Sequence, residues 1–214
     1  MVKKILDSSK GYNNIDVPYT LLSKTEDAKN LVILLPGTGY TVQSPLLHYS
    51  TGIYLNKSFD VLHVNYQYNT EAYQNCSIED VSEAIRFDVK TVIDKVISET
   101  NYEHFHLLAK SFGTVALSSE LQRDIFTNAK AIWLTPLLHR DDVFDAMVQS
   151  HHDGLCMIGD NDPYYLEDRY NQLANKSNMT TRLIPQANHS LEYDDSAIAS
   201  IDILKNVLED IEAF

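Results

Sequence analysis

Short apolar-rich runs, each bounded by polar residues, glycine or proline, recur along the chain. They cover residues 31–35, 61–64, 105–109, 131–134, 155–158 and 181–184. Runs of this length are typical of strands that are buried on both faces. One or two edge strands, including residues 19–23, are expected ahead of the first run.

Helical periodicity fills the segments between these runs. The clearest helix starts at Ser77 and carries its apolar residues on one face, namely Val81, Ala84, Ile85, Val89, Val92, Ile93, Val96 and Ile97. Further helices are predicted over residues 112–121, 141–149, 164–173 and 196–211. Alternating strands and helices predict a three-layer α/β/α sandwich around a mainly parallel sheet, with functional loops at the carboxyl ends of the strands.

Length, composition and charge narrow the possible functions. No linker or repeat divides the 214 residues, so one domain over residues 1–214 is expected. The net charge of −13 disfavours nucleic acid and anionic membrane surfaces as partners. The chain has no apolar segment of about 18 residues, and its amino terminus lacks the apolar stretch of a secretory signal. We therefore expect a soluble cytoplasmic protein, although its acidity does not indicate a substrate.

The most informative segment is Ala109-Lys110-Ser111-Phe112-Gly113, where a predicted strand runs directly into a predicted helix. The small residues two positions before and after Ser111 suit a sharp strand-to-helix turn. A serine at such a turn can cap the helix. It becomes a nucleophile only where an imidazole accepts its proton and a carboxylate orients that imidazole.

Two later loops contain those groups. Asp162 follows the run over residues 155–158 in Gly159-Asp160-Asn161-Asp162-Pro163, and His189 follows the run over residues 181–184. An aspartate before proline can be a helix N-cap, and a loop histidine can be merely solvated. The order of Ser111, Asp162 and His189, each placed after a predicted strand, resembles that of the α/β-hydrolase superfamily.

This resemblance extends from about residue 31 to the carboxyl terminus and implies a role for each group. Ser111 would be the nucleophile, His189 the base and Asp162 the acid, with alanine at the first glycine of the G-x-S-x-G motif. The segment Leu35-Pro36-Gly37-Thr38-Gly39-Tyr40 is similar to the oxyanion loop of the family, with proline in place of the usual histidine. The resemblance implies that the backbone N–H groups of Thr38 and Phe112 bind the oxyanion.

The substrate site is expected among the loops that carry these groups. The predicted lining residues are Gly39, Tyr40, Leu137, Leu138 and Tyr164. The connection after residues 131–134 is too short for an inserted cap domain, so a lidless fold is expected. The resemblance implies a serine hydrolase, a carboxylesterase or thioesterase, that cleaves small esters or thioesters through an acyl-enzyme on Ser111. The alternative is a non-catalytic protein of the same fold that binds a ligand or partner.

Other chemistries have weaker support in the sequence. Gly37-Thr38-Gly39 followed by Asp60 could begin a dinucleotide-binding motif, but Val42 stands where the third glycine or alanine belongs. His104 and His106 share a strand face without a third ligand at a zinc-like spacing. No cofactor and no metal are therefore predicted.

Lys110, at the variable position before Ser111, has two interpretations. It can be a solvated neighbour of the nucleophile. It can also supply a positive charge that favours acidic substrates. The sequence leaves both open.

Overall fold

Eight strands form one sheet in the computed structural model, which describes residues 1–214. The strands are β1 (Lys3–Lys10), β2 (Asp16–Ser23), β3 (Asn30–Leu35), β4 (Asp60–Val64), β5 (His104–Lys110), β6 (Lys130–Leu134), β7 (Gly154–Gly159) and β8 (Met179–Ile184). Their order is β1-β2-β4-β3-β5-β6-β7-β8. Strands β3 to β8 run parallel, whereas β1 and β2 are antiparallel to each other and β2 is antiparallel to β4.

Six helices pack on the two faces of this sheet. They are α1 (Pro45–Asn56), α2 (Ile78–Ser98), α3 (Gly113–Glu120), α4 (Asp141–Gln149), α5 (Glu167–Ala174) and α6 (Ala197–Ala213). The predicted three-layer α/β/α sandwich with a mainly parallel sheet is confirmed.

Strand alternation divides the core into two layers. In β3, the side chains of Leu31, Ile33 and Leu35 join the layer beneath α2 to α5. Val32 and Leu34 join the opposite layer, beneath α1 and α6. Because successive side chains of a strand point to opposite faces, a continuous apolar run is required wherever both faces are covered.

Helix α2 starts where its sequence pattern predicts. The Ser77 hydroxyl accepts from the Asp80 N–H at 3.1 Å, and the Asp80 carboxylate accepts from the Ser77 N–H at 2.9 Å. This reciprocal capping box satisfies two N–H groups that the first turn would otherwise leave free. The apolar face of the helix then packs on the sheet.

Two helices differ from the sequence-based expectation. Helix α1 was not predicted, because its apolar residues are not confined to one face and its amphipathic signal is weak. Helix α5 was predicted from residue 164 but begins at Glu167. Tyr164 lies in a turn instead, because its N–H donates to the Asp162 carboxylate at 2.8 Å.

The connection from β6 to α4 consists of residues 135–140 and contains no inserted cap. The loops that follow the parallel strands therefore meet along one open edge of the sheet. No helix combines the length and the apolarity that crossing a bilayer demands.

Candidate active site

Ser111 occupies a strained turn between β5 and α3. Its φ is 52°, in the left-handed region that residues with a Cβ rarely adopt. Its N–H donates to the Leu134 carbonyl at 3.0 Å, and its carbonyl accepts from the Thr114 N–H at 2.9 Å. The turn is thus fixed on both sides, and a backbone strain of order 1–3 kcal/mol is maintained by the surrounding structure.

Small residues make this turn possible. A Cβ on Gly113 would lie 2.2 Å from the Leu35 carbonyl oxygen, so no larger residue fits there. Gly37 lies against Ser111, since a Cβ on it would be 3.2 Å from the Ser111 Cβ. Ala109, at the first small position of the motif, is fully buried within the sheet. The β3 loop therefore reaches Ser111 directly.

His189 bridges Ser111 and Asp162. Its Nε2 lies 2.7 Å from the Ser111 Oγ, and its Nδ1 lies 2.8 Å from the Asp162 Oδ2. The carboxylate can only accept, so Nδ1 carries the ring proton and Nε2 is left to accept from the serine hydroxyl. The imidazole is therefore held in the tautomer that a general base requires.

The two oxygens of Asp162 have separate partners. One accepts from His189, while Oδ1 accepts from the Tyr164 N–H at 2.8 Å. The Asp162 side chain has 0% exposure. Asp162 therefore contacts the imidazole and also caps the turn at Tyr164. The helix-capping interpretation is wrong, because α5 begins at Glu167 with Leu166 as its N-cap.

Asp160 and Asn188 stabilise the loop that carries His189. The Asp160 carboxylate accepts from the Gln186 N–H at 2.5 Å and does not contact the imidazole. The Asn188 side-chain oxygen accepts from the Ser190 N–H at 2.8 Å. Its amide group donates to Asp194 at 2.7 Å. These bonds close the loop locally on the β8 side.

Unpaired backbone N–H groups face the same edge of the sheet. The N–H groups of Thr38, Gly39 and Phe112 donate to no acceptor in the chain. The loop turns back on itself, since the Gly37 N–H donates to the Tyr40 carbonyl at 3.1 Å. Thr38 and Phe112 are thus available as donors, and Gly39 offers a further N–H in the same loop.

Tyr66, two residues after the end of β4, anchors the start of this loop. Its hydroxyl donates to the Pro36 carbonyl. Burial raises the pKa of the Tyr66 hydroxyl well above its ordinary value, so the group stays protonated and remains a donor. The contact fixes the backbone immediately before Gly37.

The Tyr164 ring contacts His189, and a second ring, His139, packs on Tyr164. The Tyr164 ring meets the imidazole edge to face, with centroids 4.9 Å apart, and His139 stacks on Tyr164 at 4.5 Å. Burial and the nearby Arg140 and Arg169 lower the pKa of His139. Sequence reasoning missed His139, although its position in the loop after β6 was a usable signal.

Comparisons with known proteins identify the fold. No family model matches the chain, and no curated protein sequence does. A candidate α/β hydrolase of unknown function from Agrobacterium tumefaciens superposes with a TM-score of 0.74 at 18% identity, covering 98% of this chain and 94% of the other. The chain has the α/β-hydrolase fold.

Two further structures with the α/β-hydrolase fold have functional descriptions. A lidless serine hydrolase from Xanthomonas campestris gives a TM-score of 0.71 at 14% identity, over 99% of this chain and 94% of the other. An esterase from Pyrococcus furiosus gives a TM-score of 0.73 at 10% identity, over 99% of this chain and 93% of the other. At these identities the likeness shows the fold alone.

Within this α/β-hydrolase fold, the predicted lining residues occupy different environments. Gly39 is exposed in the β3 loop, and Tyr164 is half-buried beside His189. Leu137 is 6% exposed, whereas Leu138 is 0% exposed within the core. The prediction for Leu138 is therefore corrected, because a side chain without exposed surface cannot contact a bound molecule. Its carbonyl serves instead as an acceptor for Arg169, at 2.8 Å.

Tyr40 is largely engaged within the protein. Its hydroxyl accepts from the Leu46 N–H at 2.9 Å, and burial raises its pKa to about 12. The residue also borders a cavity of about 290 Å³ between the beginning of α1 and α6. Tyr40 thus joins the β3 loop to α1 and leaves only part of its ring for a substrate.

A second histidine–hydroxyl pair lies in the core of the α/β-hydrolase fold. His63 Nε2 is 2.8 Å from the Thr51 Oγ1, and that hydroxyl donates to the Leu47 carbonyl at 2.9 Å. The hydroxyl therefore accepts from the ring, the reverse of the polarity that a nucleophile needs. Burial lowers the pKa of His63 to about 4, which keeps the imidazole neutral.

Proposed function

We propose that the protein is a serine hydrolase that cleaves small carboxylic esters or thioesters through an acyl-enzyme on Ser111. The observation that carries the proposal is the unbroken hydrogen-bond chain from Asp162 through His189 to Ser111, which ends on a serine with φ of 52°. The three side chains come from three different loops, and their hydrogen bonds suit the roles of nucleophile, base and acid.

Acylation would begin with attack of the Ser111 Oγ on the substrate carbonyl carbon. The hydroxyl proton passes to His189 Nε2, and the carbonyl electron pair becomes an oxyanion. The free N–H groups of Phe112 and Thr38 would donate hydrogen bonds to that oxyanion and stabilise its charge. Collapse of the intermediate breaks the bond to the alcohol or thiol, which leaves with the proton from His189.

Deacylation would reverse these roles with water as the nucleophile. His189 takes a proton from water as the oxygen attacks the acyl carbon, and the acyl–Ser111 bond then breaks. The serine oxygen recovers its proton from His189, and the carboxylic acid is released. Asp162 holds the imidazole in place throughout, since its other oxygen is fixed by the Tyr164 N–H.

Covalent labelling by a fluorophosphonate tests this proposal without a choice of substrate. The wild type should be labelled stoichiometrically, and Ser111→Ala should not be labelled. The fold of the variant should be unchanged, because alanine and serine tolerate a positive φ at this position to a similar extent. Ser119→Ala is the matched control, since this α3 hydroxyl only donates to the Ala116 carbonyl at 2.9 Å. It should be labelled like the wild type.

The outcomes separate the two candidate functions. Equal labelling of wild type and Ser111→Ala would contradict the nucleophile assignment. A folded wild type that is neither labelled nor active on p-nitrophenyl esters would favour a non-catalytic protein that binds a ligand or partner in the same cleft.

A further inference from the structure

Lys110 is a buried cation next to the proposed nucleophile. It ends β5, and strand alternation places it on the same face as Leu108, which is covered by α1 and α6. Its exposure is 1%, among the lowest of the large side chains. The solvated interpretation is therefore wrong, and a lysine without exposed surface cannot contact an acidic substrate directly. A buried ammonium group needs internal partners.

Three segments of the candidate active site supply those partners. The Lys110 Nζ donates to the His189 carbonyl at 2.7 Å and to the Thr135 hydroxyl at 2.9 Å. It also lies 4.7 Å from the centroid of the Tyr40 ring. The three partners belong to the loops after β8, β6 and β3, and Lys110 connects all of them to the strand that carries Ser111.

The contact with His189 involves the backbone from which the imidazole projects. The contact with Tyr40 involves the residue whose carbonyl closes the turn around Thr38, by accepting from the Gly37 N–H at 3.1 Å. The Lys110 ammonium group therefore contacts both the loop that carries the His189 base and the loop that carries the Thr38 oxyanion donor. The bonds made by Asp160 and Asn188 connect residues of the loops after β7 and β8 and do not reach Ser111.

We propose that Lys110 is a positioning residue, whose ammonium group fixes the His189 loop and the Thr38 turn relative to Ser111 and thereby supports turnover. The proposal rests on the proposed function. Displacement of a reacting group by about 1 Å can lower a rate by about 100-fold. Loss of this group should therefore reduce kcat more than it changes KM.

The surroundings of Lys110 set the pH range in which it is charged. Burial lowers the pKa of Lys110 to about 8, while the carboxylates of Asp162 and Glu192 act in the opposite direction. The other groups that face it, the Tyr40 ring and the His189 loop, are uncharged when His189 is ready to act as base. Above this pH the amine loses its charge and its attraction to the Tyr40 ring. Turnover should consequently fall as the pH rises through about 8.

Lys110→Met and Lys110→Arg test this role, with Lys130→Met as the matched control. Lys130 makes the same kinds of contact, to the Phe214 carbonyl at 2.6 Å and over the Phe214 ring at 4.8 Å, but at the opposite end of the sheet. Turnover of p-nitrophenyl acetate is measured from pH 6 to 10 and expressed per fluorophosphonate-labelled site, so that unfolded protein is not counted.

We expect kcat per labelled site to fall about 10- to 100-fold in Lys110→Met, with KM changed much less and no further fall near pH 8. Lys110→Arg should restore most of the activity and stay active at higher pH, because a guanidinium group remains protonated. Lys130→Met should behave like the wild type.

Wild-type kcat and an unchanged pH profile in Lys110→Met would overturn the proposal and leave Lys110 a purely structural residue. If neither Lys110 variant folds, the wild-type profile still decides, because constant turnover from pH 7 to 10 contradicts a role for the charge. The proposed function fails by a different result, the absence of labelling in the wild type.

Discussion

Asp162→Asn should abolish most of the activity while preserving the shape of the site. The wild-type carboxylate accepts two hydrogen bonds, from the His189 Nδ1–H and from the Tyr164 N–H, both at 2.8 Å. An amide has one oxygen and one NH₂ group, so it can accept only one of them. The variant must therefore either reverse the hydrogen bond to His189 or lose the one to Tyr164.

Each of the two amide orientations has a calculable consequence. With the oxygen on Tyr164, the NH₂ group donates to His189 Nδ1, which places the ring proton on Nε2, where it can no longer accept from Ser111. A wrong tautomer of this kind lowers kcat by about 10⁴, or roughly 5 kcal/mol in the barrier. With the oxygen on His189, the buried NH₂ opposes the Tyr164 N–H and destabilises the fold by about 1–3 kcal/mol.

The neighbouring carboxylate provides the control. Asp160 accepts only from the Gln186 N–H, which an amide oxygen can replace. Asp160→Asn should therefore lose less than about 10-fold in kcat. Both variants are compared by hydrolysis of p-nitrophenyl acetate, and their melting temperatures identify any loss of stability.

The losses of kcat in Asp162→Asn and Asp160→Asn show which carboxylate orients the imidazole. A larger loss in Asp160→Asn than in Asp162→Asn would mean that the imidazole is oriented by the other carboxylate. Near-wild-type kcat in a stable Asp162→Asn would show that the tautomer does not control the reaction.

Two further predictions concern the turn and the pocket. Gly113→Ala should destabilise the fold by at least about 3 kcal/mol, because its Cβ would lie 2.2 Å from the Leu35 carbonyl. Gly52→Ala, in α1 with nothing within 4 Å, should instead raise the melting temperature slightly, and a similar loss in both variants would refute the steric argument. Since residues 135–140 form no cap, kcat/KM for p-nitrophenyl esters should rise at most about fourfold per methylene from acetate to butyrate and then level off. A steady rise to dodecanoate would indicate a long apolar channel and refute this expectation.

The sequence predicted the sheet well because its signal is local and repetitive. All six apolar-rich runs became strands β3 to β8, and the amphipathic helix from Ser77 lies where its period and its capping box place it. Helix α1 escaped prediction because its apolar residues surround the helix and show no single face. The start of α5 was displaced by a side-chain contact, from Asp162 to the Tyr164 backbone.

The order of Ser111, Asp162 and His189, each after a strand, could also be recognised from the sequence. The carboxyl ends of parallel strands share one edge of a sheet, so strand order alone places such residues near one another. The catalytic roles proposed for them remain a prediction that labelling and turnover can test.

The tertiary structure alone decided which side chains are accessible and which are internal supports. Strand periodicity indicates that Lys110 shares a face with Leu108, but only the packing of α1 and α6 and of the Tyr40 and His189 loops buries its charge. Leu138 and His139 are adjacent in sequence, yet one is in the core and the other stacks on Tyr164 at the site. The burial or exposure of these side chains depends on contacts between segments far apart in sequence. Periodicity and spacing, in contrast, indicate only the local secondary structure of each segment.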